Sequence, residues 1–302
     1  MRAILFGASK AGENYVSNHP DIEVVAFTDN DSAKHGTRFM GYPIIAPADI
    51  NTHDVDSIII TSQWVDQIYS QLTKEMGINE SNIIVPSKQS VKAALPFEDN
   101  ETLAFAQSVM RTLNRYFVSH NISACLDSGT LLGAVRNKGL IPWDDDIDLA
   151  VDKDNYERLQ ASLPELYKLL NTNYDVKWNI VIITVNNIDC CINLEFSNLS
   201  HTQLVPFDIS IQRRESINGL SELLSSGGLF FAPATHFDSY EPIEFLGETF
   251  LAPFDAEGFL TFMYGHWQTP KKTTQITEYE NRRASMSAPR TGISVQKRTL
   301  CE

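Results

Sequence analysis

A chain of 302 residues with 43% hydrophobic and 21% charged residues has the composition of a folded protein, and its length suits two domains. Lys and Arg number 24 against 38 Asp and Glu, a formal net charge of -14, which argues against binding to nucleic acid or to an anionic membrane surface, since both depend on basic residues. No apolar run approaches the roughly 18 residues that cross a bilayer, the apolar start at Met1–Phe6 is too short for a signal peptide, and no C-x-x-C spacing links Cys125, Cys190, Cys191 and Cys301, so a cytoplasmic, disulfide-free protein with no integral membrane segment is expected.

Ala3–Phe6 is a short apolar run ending at Gly7, and the turn after it leads into a predicted helix reaching about Asn18. Ile22–Thr28, Asp56–Thr61 and Ser81–Pro86 read as further strands. Apolar strands separated by helices predict a parallel sheet covered on both faces. Gly7-x-Ser9-x-x-Gly12 is a variant of the glycine turn that brings a phosphate to a helix N-terminus. Ser9 replaces its middle glycine, and its side chain is expected to narrow the approach. Asp29, closing the second strand, is placed to meet a ribose hydroxyl. Gly7, Ser9, Gly12 and Asp29 are therefore candidate cofactor-binding positions, the alternative being a domain that keeps the fold without that ligand. Through Phe6–Ser9, Ala26–Asn30 and Gly41–Ile44 the segment resembles Rossmann-like modules attached to enzymes that modify bacterial surface sugars.

Residues 87–98 show no apolar period and contain Pro96, which sets a linker between a first domain over 1–90 and a second over 96–302. Leu103, Ala106, Met110, Leu113 and Phe117 follow helical spacing and predict a helix over 101–119. A strand is expected at Ile122–Leu126. Ser128-Gly129-Thr130 then forms a small-residue turn opening a short helix over 130–137, with free backbone N–H groups for a phosphate and the Arg136 fork beside them. Asp144, Asp145, Asp146 and Asp148 fall within five residues. In a strand Asp146 and Asp148 share a face, with Ile147 aimed at the core, and Asp144 joins them if the strand starts early. Such close like charges repel unless a cation lies between them, and carboxylate oxygens select Mg²⁺ or Mn²⁺. Flanking Ile141, Trp143, Leu149 and Val151 place the run at the edge of a core rather than in a solvated loop. A third carboxylate is sought on a neighbouring strand. Asp208, the one charge between Leu204 and Ile211, is favoured over Glu195 because its surroundings read as a buried strand.

This succession of small-residue turn, short helix and acidic-x-acidic strand resembles the active site of the nucleotidyltransferase fold. Gly129-Thr130-Leu131-Leu132-Gly133-Ala134-Val135-Arg136 followed by Ile141-Pro142-Trp143-Asp144-Asp145-Asp146-Ile147-Asp148 resembles the signature of the LicD/fukutin family, with weaker likeness at Phe207–Ile209, Ala252–Phe254 and Met263–Pro270. The resemblance implies an α/β chain in which a Rossmann-like parallel-sheet domain precedes an α+β catalytic domain of nucleotidyltransferase fold. It implies a phosphotransferase that moves a phosphorylated alcohol, typically phosphocholine, from a CDP-linked donor to a sugar hydroxyl of a capsule or lipopolysaccharide glycan. Residue by residue, it implies Asp144, Asp146, Asp148 and Asp208 as metal carboxylates, with Asp146, Asp148 and Asp208 catalytic, and Ser128, Gly129, Thr130 and Arg136 as donor contacts. Asn137 stands where relatives often carry His, and the cysteine cluster of some animal relatives is missing. Alternatives are an NAD(P)-dependent oxidoreductase acting through the first domain, which Ser9 and the domain's small size oppose, and a non-catalytic glycan-assembly scaffold, which the intact acidic strand opposes. An oligomer is compatible with the sequence. Trp267 reads as an anchoring aromatic, and polar Thr273–Glu302, with Arg282, Arg283, Arg290, Lys297 and Arg298, as a mobile tail or a flap over the acceptor site.

Overall fold

A computed structural model describes residues 1–92, 95–272, 275–279, 281–283 and 295–301. They fall into two units: 1–92 with 271–272, 275–279 and Arg283, and 95–270 with 281–282 and 295–301. The returns of residues 271–272, 275–279 and 283 to the first unit are not visible from the sequence, which assigns everything beyond 96 to the second.

The first unit contains β1 (Arg2–Phe6), α1 (Lys10–Asn18), β2 (Glu23–Thr28), β3 (Arg38–Phe39), β4 (Tyr42–Ile45), β5 (Ser57–Ile60), α2 (Val65–Ser70) and β6 (Ile83–Ile84). The strands lie in the order β3-β4-β2-β1-β5-β6, parallel except for the β3–β4 hairpin. Ile4, Phe6, Ala26, Ile58 and Ile60 pack with Val65, Ile68 and Leu72 in one cluster, whereas Ala3, Leu5, Val24, Phe27 and Ile59 pack with Tyr15 in another. Both faces are therefore apolar, which is why these strands read as unbroken apolar runs. The hairpin escapes sequence reading because its strands are two and four residues long and one holds Pro43, a residue that argues against a strand except at an edge.

The second unit contains α3 (Asn100–Ser119), β7 (Cys125–Leu126), α4 (Ser128–Leu132), β8 (Asp146–Val151), α5 (Lys153–Asn173), β9 (Val176–Val185), β10 (Ile188–Asn198), β11 (Asp208–Ile217), β12 (Leu220–Leu223), β13 (Phe231–Pro233), β14 (Tyr240–Phe245), β15 (Glu248–Pro253), α6 (Ala256–Tyr264) and β16 (Val295–Cys301). The main sheet runs β14-β15-β7-β8-β11-β10-β9-β16, with β12 paired to β11 and β13. The β8–β11 and β15–β7 pairs are parallel. Alternate residues of the central strands, among them Ile147, Leu149, Ile209, Ile211, Ile192, Leu194, Trp178 and Ile180, join Met110 and Leu113 of α3 and Tyr156, Leu159 and Leu163 of α5 in one core. The other alternation of β8, β11 and β10 is largely polar. Asp99 caps α3 by accepting from the Thr102 hydroxyl and N–H at 2.7 and 2.8 Å, bonds that hold its carboxyl below the usual range.

The expectation of a mobile tail or flap does not describe residues 295–301. They form β16, antiparallel to β9, with Lys297 opposite Ile183. Arg298 fixes the strand through a two-point fork to Asp189, at 3.1 and 2.6 Å. An edge strand exposed along most of its length can be built from polar residues, so its composition looked like that of a tail. Arg290 lies outside the described residues. Cys125, Cys190 and Cys191 are free and buried, and burial pushes the Cys190 thiol up to about 11. Among the described residues no helix is long and apolar enough to cross a membrane.

Candidate active site

Parallel pairing of β8 with β11 puts Asp146 opposite Asp208, Ile147 opposite Ile209 and Asp148 opposite Ser210. With both isoleucines in the core, the carboxylates of Asp146, Asp208 and Asp148 belong to the opposite, polar face. Strand β10 extends this face, because Asn193 pairs with Ser210 and Leu194 with Ile209. Glu195 therefore follows in the row of Asp208. Burial first, and then the Asp208 charge, raise the Glu195 carboxyl above its ordinary range. The two residues that the sequence sets against each other thus share one face of adjacent strands.

The approach to β8 adds more negative charge. Carboxylate oxygens of Asp144, Asp145 and Asp146 lie within 4.8 Å of one another, all three residues half-buried. Asp145 is absent from the sequence-derived set, and Asp148, which is in that set, lies outside this trio. One Asp148 oxygen instead accepts from Gln212 Nε2 at 2.9 Å.

The turn at 127–130 is bonded to these aspartates. Asp127 N–H donates to the Asp148 carbonyl at 3.1 Å, and Asp148 N–H donates to Thr130 Oγ1 at 2.9 Å. A Cβ at Gly129 would stand 2.2 Å from Asp144 Oδ2, so the carboxylate rests where any other residue would carry its side chain. Ser128 has φ +48°, a left-handed conformation costing about 1–3 kcal/mol in a non-glycine residue. Its N–H donates to Asp127 Oδ1 at 2.7 Å. Ser128, Gly129 and Thr130, selected from the sequence as phosphate contacts, are thus engaged with Asp127, Asp144 and Asp148 respectively. Arg136 Nη1 donates to the Trp267 carbonyl at 3.1 Å and Nε to Asn137 Oδ1 at 2.7 Å, with the guanidinium 5.9 Å from the Trp143 ring centroid. Trp267 is buried and donates its indole N–H to Thr261 Oγ1 at 3.1 Å.

Sequence reasoning missed Asp127, Gln212 and Arg214. Asp127 Oδ2 accepts from Arg214 Nε at 2.8 Å, with side-chain exposures of 1% and 3%. A signal was available: Asp208, Ser210, Gln212 and Arg214 repeat every second residue along β11, a continuous polar face opposite Ile209 and Ile211.

In the first unit Gly7, Ser9, Gly12 and Asp29 do come together. Gly7 has φ +121°, and a Cβ there would stand 2.7 Å from the Thr61 carbonyl oxygen. Ser9 Oγ donates to that same carbonyl at 3.2 Å, so the side chain turns back to the sheet and does not narrow the approach as expected. Asp29 accepts from Ala8 N–H at 3.1 Å and Asp31 N–H at 2.9 Å and pairs with Lys34 at 2.7 Å. Its carboxylate holds the loop.

The face of the second unit is that of a carboxylate-lined site on a mixed sheet, and comparison with known proteins gives it a family. Residues 121–255 match the family described as LicD/FKTN/FKRP, nucleotidyltransferase domain, and residues 1–84 match that described as C2185-like, N-terminal. Residues 121–255 are a LicD-family domain. The chain is 46% identical over 61 residues to the lipopolysaccharide cholinephosphotransferase LicD of Haemophilus influenzae, covering 19% of this chain and 23% of that protein. It is 38% identical over 73 residues to an uncharacterized protein of Rickettsia prowazekii, covering 24% and 27%. The chain thus spans about a quarter of the length of these curated relatives. Among solved structures, UDP-D-quinovosamine 4-dehydrogenase from Vibrio fischeri aligns with a TM-score of 0.24 and 19% identity over 28% of this chain and 76% of that one. A likeness at that level carries no argument.

Proposed function

We propose that this chain is a metal-dependent phosphotransferase that moves a phosphocholine-type group from a CDP-linked donor to a sugar hydroxyl of a bacterial surface glycan. The observation that carries the reading is the acidic face itself, with Asp146 paired to Asp208 and joined to Asp144 and Asp145 within a LicD-family domain. The parallel β8–β11 pair and the turn before α4 support a nucleotidyltransferase fold. The parallel sheet of the first unit and its glycine turn support a Rossmann-like module, with Asp29 committed to Lys34 and the loop rather than to a dinucleotide ribose.

The donor set fits a hard divalent cation: it is all carboxylate oxygen, and Asp144 and Asp146 lie with Asp145 within 4.8 Å of one another. Asp144, Asp146, Asp148 and Asp208 are the residues to hold Mg²⁺ or Mn²⁺. Such an ion, when bound, neutralises charge on a donor diphosphate. The remaining work belongs to the chain. Asp208, exposed at the head of β11, is placed to take the acceptor hydroxyl proton as the new P–O bond forms and cytidine monophosphate leaves with the electrons of the broken one. Arg136, fixed by Trp267 and Asn137, is the cation offered to donor phosphate.

Purified protein incubated with CDP-choline, Mg²⁺ and a panel of bacterial surface oligosaccharides should release cytidine monophosphate and add phosphocholine to one acceptor, as read by mass spectrometry. Calorimetry showing strong binding of another nucleotide and none of any cytidine diphosphate-alcohol would overturn the donor. Gly129→Ala offers a sharper steric check. Its methyl group would displace the Asp144 carboxylate, so transfer should fall by about tenfold or more with the melting temperature changed little. Unaltered rates in that variant would remove Asp144 from the site.

A further inference from the structure

The proposed chemistry uses Asp208 of the polar series on β11 and leaves Gln212 without a role. Gln212 Nε2 donates to Asp148 Oδ1 at 2.9 Å. At the other end of the amide, Gln212 Oε1 accepts from the Ser225 hydroxyl. An amide has an accepting end and a donating end. With Ser225 donating to the oxygen, the NH₂ must face Asp148. The Asp148 main chain is held separately, its N–H by Thr130 Oγ1 and its carbonyl by Asp127 N–H. Backbone bonds set where Asp148 begins, and the Gln212 bond sets where its carboxylate points. The chemistry of the donor matters as well. A Lys or Arg here would neutralise Asp148 and compete with a cation, whereas an amide orients the carboxylate and leaves its charge intact.

We infer that Gln212, locked by Ser225, is a positioning residue that aims the Asp148 carboxylate into the acidic site. The inference rests on the proposed metal-dependent reaction. Outer partners of ligating carboxylates typically contribute about 10–100-fold to metal affinity or activity.

The test uses the full chain, Mn²⁺ binding followed by electron paramagnetic resonance, and transfer kinetics. Gln212→Met keeps the length and removes the donor. It should weaken Mn²⁺ binding about tenfold and lower kcat at saturating metal by a similar factor, with KM for CDP-choline changed less than about twofold. Ser225→Ala, which frees the amide to rotate, should show the same pattern at about two- to fivefold. Gln212→Lys should lose more Mn²⁺ affinity than Gln212→Met, because an ammonium takes the place of the cation. Metal-free melting temperatures of the variants report folding independently, and Ser225→Ala carries the test should Gln212→Met melt early. Mn²⁺ affinity and kcat within twofold of the wild type in Gln212→Met would overturn the inference. Wild-type protein that binds Mn²⁺ but transfers nothing overturns the reaction and leaves the Mn²⁺ titrations to decide Gln212. Wild-type protein that binds no Mn²⁺ overturns both.

Discussion

Asp146→Asn is expected to lower transfer by on the order of a thousandfold at saturating Mg²⁺ while the protein stays folded. Asp146 is the carboxylate common to both acidic groupings, standing opposite Asp208 across the β8–β11 pair and within 4.8 Å of Asp144 and Asp145. An amide matches its volume and leaves Ile147 and Leu149 in the core, so packing is conserved. What it removes is one negative charge at the point where the two groupings meet. Relief of repulsion among the remaining aspartates should keep the metal-free melting temperature at or above that of the wild type. The combination separates a charge effect from a folding defect, since a folding defect would lower both. Initial rates of cytidine monophosphate release across a Mg²⁺ titration, with melting curves on the same samples, make the measurement. A loss smaller than about tenfold at saturating metal would take Asp146 out of the catalytic centre.

Asp146 was readable from sequence for a simple reason. Its strand is short and flanked by Ile147, Leu149 and Val151, so a period of two separates carboxylates from core without knowledge of any partner. The same logic reads β1, β2 and β5, whose two apolar faces make continuous runs. Asp208 could be selected as a lone charge in an apolar stretch, but that Glu195 stands in its row depends on the pairing of Leu194 with Ile209. Register is set by the whole sheet and leaves no local trace. Long-range partners are hidden in the same way. Asp127 and Arg214 are 87 residues apart, and Gln212 meets Asp148 across 64. Gly129 is the opposite case. The sequence marks it as part of a turn, yet its contact with Asp144 shows that the missing side chain makes room for a carboxylate. At β16 composition misleads, because an edge strand shows most of its residues to water and, among the described residues, pairs its backbone with β9 on one side.

Asp127→Ala should destabilise the second unit by about 3–5 kcal/mol, the cost typical of removing one partner of a buried ion pair. The Arg214 guanidinium is 3% exposed and lies 4.2 Å from the Phe237 ring centroid and 5.9 Å from that of Phe259. Without Asp127 its charge remains among these rings, bonded weakly at 3.5 Å to the Ser221 carbonyl. The Ser128 N–H loses its acceptor as well, and with it the bond that accompanies a left-handed φ of +48°. The turn that meets Asp148 at two points should loosen, so activity should fall along with stability. Asp127→Asn should cost less, since its amide oxygen still accepts from Ser128. The pair's own contribution can be isolated by adding Arg214→Met. Replacing both charges by apolar volume removes the stranded guanidinium, and the double variant should regain much of the stability lost in Asp127→Ala. Two units invite more than one unfolding step, so the changes should be read by tryptophan fluorescence in a Trp64→Phe background, where the remaining tryptophans, Trp143, Trp178 and Trp267, all lie in the second unit. If Asp127→Ala costs less than about 1 kcal/mol there, or if Arg214→Met restores nothing, the pair contributes no more than an exposed salt bridge, and the turn must be held by its bonds to Asp148.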